Sequence, residues 1–102
     1  MSVYKDILKS FNDAIEHEKG NLKARGRTVM VQPLKSYESN EIRDLRLSLD
    51  LSQVAFAAVM GVPIKTVEAW ESGRNEPSGP ARRVLELITN DKQIVNQLVQ
   101  IG

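Results

Sequence analysis

Lys65 and Thr66 stand just past the run Gly61-Val62-Pro63, and Val67 and Trp70 follow at helical spacing. With Val67 and Trp70 turned inward, the outward positions are Ile64 at the start, then Lys65, Thr66, Glu68, Ala69 and Ser72. These side chains suit recognition rather than bond-making. A lysine ammonium can reach a guanine edge or a phosphate, a threonine hydroxyl can bond to either, and an alanine methyl can touch a thymine methyl. Glu68 needs a cytosine amino group or a salt-bridge partner, because its charge is unfavourable beside phosphates. Arg74 and Asn75 come directly after, where they would flank the helix on a nucleic-acid backbone. Each residue also has a plainer use: Lys65 as a solvated cation, Thr66 as a first-turn polar group, Arg74 as a turn residue. Arg82 and Arg83 read as surface charges on a helix whose other face is apolar.

Catalytic chemistry is poorly supplied. The 102 residues contain no cysteine and one histidine, His17, which excludes disulfides, thiol catalysis, zinc-thiolate sites and, within one chain, a multi-histidine metal site or histidine-based triad. No paired catalytic groups, phosphate-binding glycine loop or metal motif is present, so the expectation is no enzyme, no cofactor and no metal. No apolar run approaches the ~18 residues a membrane span needs. Met1-Ser2-Val3-Tyr4-Lys5-Asp6 carries charge where a signal peptide would be apolar. The chain is expected to be cytoplasmic, without a membrane partner.

The elements that must position these residues follow from periodicity. Val3, Ile7, Phe11, Ala14 and Ile15 predict an amphipathic helix stopped by Gly20. A basic stretch, 21–27, leads to Thr28-Val29-Met30-Val31, whose β-branched bias predicts one short strand ended by Pro33. Beyond a linker, with a boundary near residue 36, the pattern is helical. Ile42, Leu45 and Leu49 make the first stripe, capped by Ser39 or Asn40. Ser52 caps a second helix carrying Val54, Phe56, Ala57 and Met60 and ending at Gly61; the third carries Ile64, Val67 and Trp70 and ends at Gly73. Pro80 suits the first position of a fourth, with Ala81, Val84, Leu85 and Ile88 inside. Asn90-Asp91 breaks it and can cap a fifth, whose Ile94, Val95, Leu98 and Val99 form the candidate dimer surface. The fold class is therefore all-α: a five-helix domain over 37–102, preceded over 1–36 by an amphipathic helix and one short β-strand.

Two short helices joined by a tight glycine turn describe a helix-turn-helix. Gln53, Ala57, Gly61, Val67 and Trp70 at these spacings are a specific set: Gly61 where the chain turns sharply, Ala57 small enough for the third helix to cross closely. Arg46 and Glu71 flank buried stripes on the first and third helices and suggest a partly buried ion pair. Through Ile42-Arg43-Asp44-Leu45-Arg46, Leu51-Ser52-Gln53, Phe56-Ala57, Gly61-Val62, Thr66-Val67, Trp70-Glu71, Gly73 and Pro77, the chain resembles the phage-repressor-like (Xre/Cro) helix-turn-helix family. Leu51 to Ala57, Lys65 to Glu71 and Pro77-Ser78-Gly79-Pro80-Ala81 resemble HigA-type antitoxins more narrowly. The resemblance implies the Arg46–Glu71 pair and places Gln53 as a phosphate clamp, at a helix N-terminus that also favours an anion. One departure is Pro63, where the family usually has a capping Ser or Thr.

Charge is divided along the chain. Residues 1–36 hold seven Lys/Arg against four Asp/Glu, and residues 37–102 hold seven against nine, so placement rather than total charge must decide the partner. The expected partner is double-stranded DNA, an inverted-repeat operator bound by a homodimer, and the expected function is autorepression. The HigA resemblance implies that the N-terminal segment masks a HigB-like ribonuclease toxin. Two other uses stay open for it: packing onto the chain's own helices, or a basic arm on DNA through Lys23, Arg25 and Arg27. A stand-alone regulator and a protein-interaction adaptor are the alternative functions, the surplus of acid in 37–102 supporting the latter.

Overall fold

The computed structural model describes residues 21–100. The amphipathic helix expected before Gly20, with His17 on it, lies outside them. In the first unit, Met1–Pro33, β1 (Asn21–Ala24) and β2 (Arg27–Met30) form an antiparallel hairpin turned at Arg25-Gly26. Composition predicts only the second strand, ending at Val31; the structure pairs two and stops at Met30. Asn, Lys and Ala give β1 no β-branched signal, and the hydrogen bonds from its neighbour make it a strand. Leu22 faces Val29 across the register, both half-buried.

The second unit, Leu34–Gly102, holds α1 (Ser39–Ser48), α2 (Gln53–Met60), α3 (Ile64–Ser72), α4 (Gly79–Asn90) and a 3-10 segment, Lys92–Gln97. Ser52 Oγ accepts from the Ala55 N–H at 3.1 Å, and Ser78 Oγ from the Ala81 N–H at 3.3 Å, so a hydroxyl satisfies an orphan donor at two helix starts. Pro80 is the second residue of α4, one place later than expected. α1 is capped at Glu38 rather than at Ser39 or Asn40: Glu41 Oε1 accepts from the Glu38 N–H at 3.1 Å and Oε2 from Lys35 Nζ at 3.0 Å.

α1, α2 and α3 end alike. The N–H of Val62 returns to the Ala57 carbonyl and that of Gly61 to Ala58; Arg74 returns to Ala69 and Gly73 to Trp70. This double bond pattern needs a left-handed residue, and Gly61 (φ 72°) and Gly73 (φ 78°) supply it without a Cβ clash. At the end of α1 the same position is Asp50, at φ 57°, with Leu51 bonded back to Arg46.

The core gathers Ile42 and Leu45 from α1, Phe56 and Ala57 from α2, Val67 and Trp70 from α3, Ala81, Leu85 and Ile88 from α4, and Val95. Phe56, Ile42, Leu85, Ile88 and Val67 are fully buried, each worth about 1.5–3 kcal/mol of transfer free energy. Two expected core residues are outside it: Val54 is 64% exposed and Val84 37%. α2 is apolar on every side, so its periodicity does not say which face packs. The expected fifth α-helix is a 3-10 turn capped by Asp91, whose Oδ1 accepts from the Gln93 N–H at 3.1 Å. Its Val95 is buried in the chain's own core, so it is not a free dimer surface; Val99 is half-buried against that core and Leu98 remains exposed. No helix among the described residues is long and apolar enough to cross a membrane.

Candidate nucleic-acid interface

Gly61 reverses the chain after α2, and Pro63, with φ fixed at −63°, starts α3 two residues later. Pro63 has no side-chain cap to offer, but its carbonyl accepts from the Thr66 N–H at 2.9 Å. Lys65 is exposed, with no ion-pair partner among the described residues, and Thr66 is half-buried beside it. Seven residues on, at about 1.5 Å per residue, Ser72 ends the helix. Its Oγ donates to the Ala69 carbonyl at 3.2 Å and accepts from Arg74 Nε at 3.0 Å. Ser72, Arg74 and Asn75 are exposed and form a polar cluster at the C-terminal end, about 10 Å from Lys65.

Two expected readers are not on the outward face. Ile64 is half-buried against the core. Ala69 is only 8% exposed. After Gly73 the chain curls back so that the N–H groups of Arg74 and Asn75 both return to the Ala69 carbonyl, at 2.9 and 3.3 Å, which brings that loop against the Ala69 turn.

Behind α3, Glu71 is a hub. Its side chain is 3% exposed and faces Arg46, whose Nε donates to Oε2 at 2.8 Å and Nη2 to Oε1 at 3.0 Å. Arg46 Nη1 also donates to the Leu51 carbonyl at 2.9 Å, so one guanidinium ties α1 to α3 and to the loop before α2. Gln53 Nε2 donates to Glu71 Oε1 at 3.3 Å, and Arg43 Nη2 to the Glu71 backbone carbonyl at 3.0 Å. Burial pushes the Glu71 carboxyl up, but the hydrogen bonds from Arg46 and Gln53 and the charges of both arginines outweigh it, so it titrates below the ordinary range. The hydrogen bond to Glu71 holds the Arg46 guanidinium above its ordinary value against its own desolvation.

Two helices crossing at a glycine turn, locked by a buried ion pair from a third, with exposed polar residues on the second helix, match a family already described: residues 42–81 fit the helix-turn-helix family model. This segment is a helix-turn-helix domain. Over 99 residues, 97% of this chain and 95% of the relative, the chain is 22% identical to Antitoxin HigA-2 of Vibrio cholerae serotype O1. Over 60 residues it is 35% identical to the uncharacterized HTH-type transcriptional regulator YiaG of Escherichia coli K12, covering 59% of this chain and 62% of that one.

Within the helix-turn-helix domain, the Arg46–Glu71 pair expected from sequence is present, and Gln53 is joined to it. Sequence reasoning missed Arg43; its signal is the spacing of one helical turn from Arg46. A cleft of about 120 Å³ also opens beside the α3 C-terminus, lined by Tyr37, Ser39, Trp70, Asn75 and Arg82, where Arg82 Nε is buried without a hydrogen-bond partner. No group of three or more potential metal-ligating side chains occurs among the described residues.

Proposed function

We propose that this chain is a sequence-specific DNA-binding transcriptional regulator and, more narrowly, an autorepressing antitoxin that neutralises a small ribonuclease toxin. One observation carries the DNA-reading half. Lys65 and Thr66 stand at the N-terminal end of the second helix of a helix-turn-helix, the part that enters the major groove and meets base edges. Ser72, Arg74 and Asn75, at the other end, would bond the backbone and fix the register, and Gln53 would hold a phosphate from α2. One such helix reads too few base pairs for useful specificity, so the chain acts as a homodimer on an inverted repeat. The apolar cleft of about 370 Å³ lined by Ala55, Ala58, Val59, Leu98 and Val99 supports pairing of two copies there.

The antitoxin half is supported by the extent of the likeness to HigA-2, which runs over 97% of the chain and so includes much of the segment ahead of the helical unit. The edge of the hairpin is a surface that can recruit a partner by strand addition, and the amphipathic pattern of Val3, Ile7, Phe11 and Ile15 in the sequence suits groove docking. The second reading, a stand-alone regulator, is favoured by the 35% identity to YiaG. Footprinting of DNA upstream of the gene, with pull-down of the neighbouring gene product, tests both. Protection of two half-sites about 10 base pairs apart, or a multiple, together with capture of a ribonuclease supports the full proposal. Protection without capture leaves the stand-alone regulator, and no protection overturns the DNA-binding reading.

A further inference from the structure

Glu71 carries one negative charge and receives two arginines. Arg46 binds both carboxylate oxygens, its side chain 13% exposed. Arg43 reaches the same residue from one turn earlier on α1, with Nε 3.7 Å from Oε1, yet its side chain stays 52% exposed. The cluster therefore retains one uncompensated positive charge, and the exposed arginine is where that charge meets solvent. In a unit with more acids than bases, this local surplus is a marked feature.

Gln53 converges on the same oxygen. A carboxylate oxygen only accepts, so the 3.3 Å contact sets which end of the Gln53 amide faces inward: the NH₂ group. One of its N–H bonds goes to Glu71 and the other has no partner among the described residues. Since Arg43 Nε and Gln53 Nε2 lie 3.7 and 3.3 Å from one atom, they are at most about 7 Å apart. Two non-bridging phosphate oxygens can span such a gap with ordinary hydrogen bonds of about 2.8–2.9 Å.

We propose that Arg43 and Gln53, tethered by Glu71, form a clamp for one DNA backbone phosphate, with Arg43 as its charged member. The inference rests on the DNA-binding reading and adds to it a residue of α1, outside the helix pair that reads DNA. The tether matters energetically: a guanidinium already held on the Glu71 carbonyl loses little side-chain freedom when it engages a phosphate.

The test is salt-dependent binding of the full chain to a duplex selected by the wild type and to an unrelated duplex. Arg43→Gln weakens binding about tenfold on both and lowers the slope of log K against log salt by about one, the signature of one lost phosphate contact. Arg43→Lys keeps the slope. Gln53→Met costs less in the Arg43→Gln background than alone, because the two residues serve one phosphate. The melting temperature of Arg43→Gln stays within a few degrees of wild type, since the Arg46–Glu71 pair remains. An unchanged slope in Arg43→Gln overturns the clamp, as does an equal fall in Lys92→Gln on the 3-10 segment, which would make Arg43 one charge among many. A wild-type chain that retains no duplex overturns the DNA-binding reading itself. Loss of specificity in Lys65→Ala alongside a wild-type slope in Arg43→Gln removes the clamp alone.

Discussion

Removing the Glu71 carboxylate leaves Arg46 charged and largely desolvated between α1 and α3. Breaking a buried pair in this way costs about 3 kcal/mol or more, so Glu71→Ala is expected to lower the melting temperature by at least about 10 °C in thermal unfolding followed by circular dichroism. The same carboxyl gives stability a pH dependence. Its titration is depressed in the folded state, so its contribution is complete above the unfolded value of about 4.3 and is lost as pH falls from there through the folded value. Between about pH 5 and pH 3, the wild type should therefore lose stability faster than Glu71→Gln; parallel curves would show that the pair contributes nothing. Arg46 and Glu71 were legible because both flank apolar stripes at helical spacing. Arg43 was not, because an exposed arginine on a helix resembles any solvated charge until its partner on another helix is in place. Ala69 misleads for a related reason: the helical wheel turns it outward, and only the curl after Gly73 covers it.

At the scale of elements, the three helix ends share one hydrogen-bond pattern, yet only two carry glycine. Asp50 adopts φ 57° without glycine's freedom, and the left-handed conformation costs an L-residue roughly 1–2 kcal/mol. Asp50→Gly is accordingly expected to stabilise the unit by about 0.5–1 kcal/mol, after the larger chain entropy that glycine gives the unfolded state. A lower denaturation midpoint would contradict that strain. Ser52, Gly61, Gly73 and Pro80 marked α2, α3 and α4 in the sequence because caps and breakers act locally. β1 was missed because its strand character comes from pairing with β2, a non-local cause. At Lys92–Gln97 the helical spacing of Ile94, Val95 and Leu98 predicts an α-helix; the six-residue run is instead a 3-10 turn that anchors through Val95.

At the scale of the whole molecule, the helical unit Leu34–Gly102 contains its own core, its own caps and the complete helix-turn-helix. A chain lacking residues 1–33 is expected to unfold cooperatively with helical circular dichroism and, in the proposed reading, to retain DNA while losing the proposed toxin partner. Capture of the toxin by the shortened chain would move that interface onto the helices. Failure to fold would show that the first unit contributes to the core. The split of charge, basic before residue 36 and acidic after it, means that overall charge would not drive the helical unit onto DNA; in the proposed reading, the placement of Lys65, Arg74 and Arg43 does so.

That placement is tested most directly by selection from a random duplex library. The wild-type chain is expected to enrich an inverted repeat with half-sites about 10 base pairs apart or a multiple. Lys65→Ala and Thr66→Ala should relax the choice at one or two positions in each half-site, losing about 1–3 kcal/mol of discrimination while leaving non-specific binding nearly intact. No enriched motif, or variants whose ratio of selected to random binding equals that of wild type, would contradict α3 as the reader of sequence.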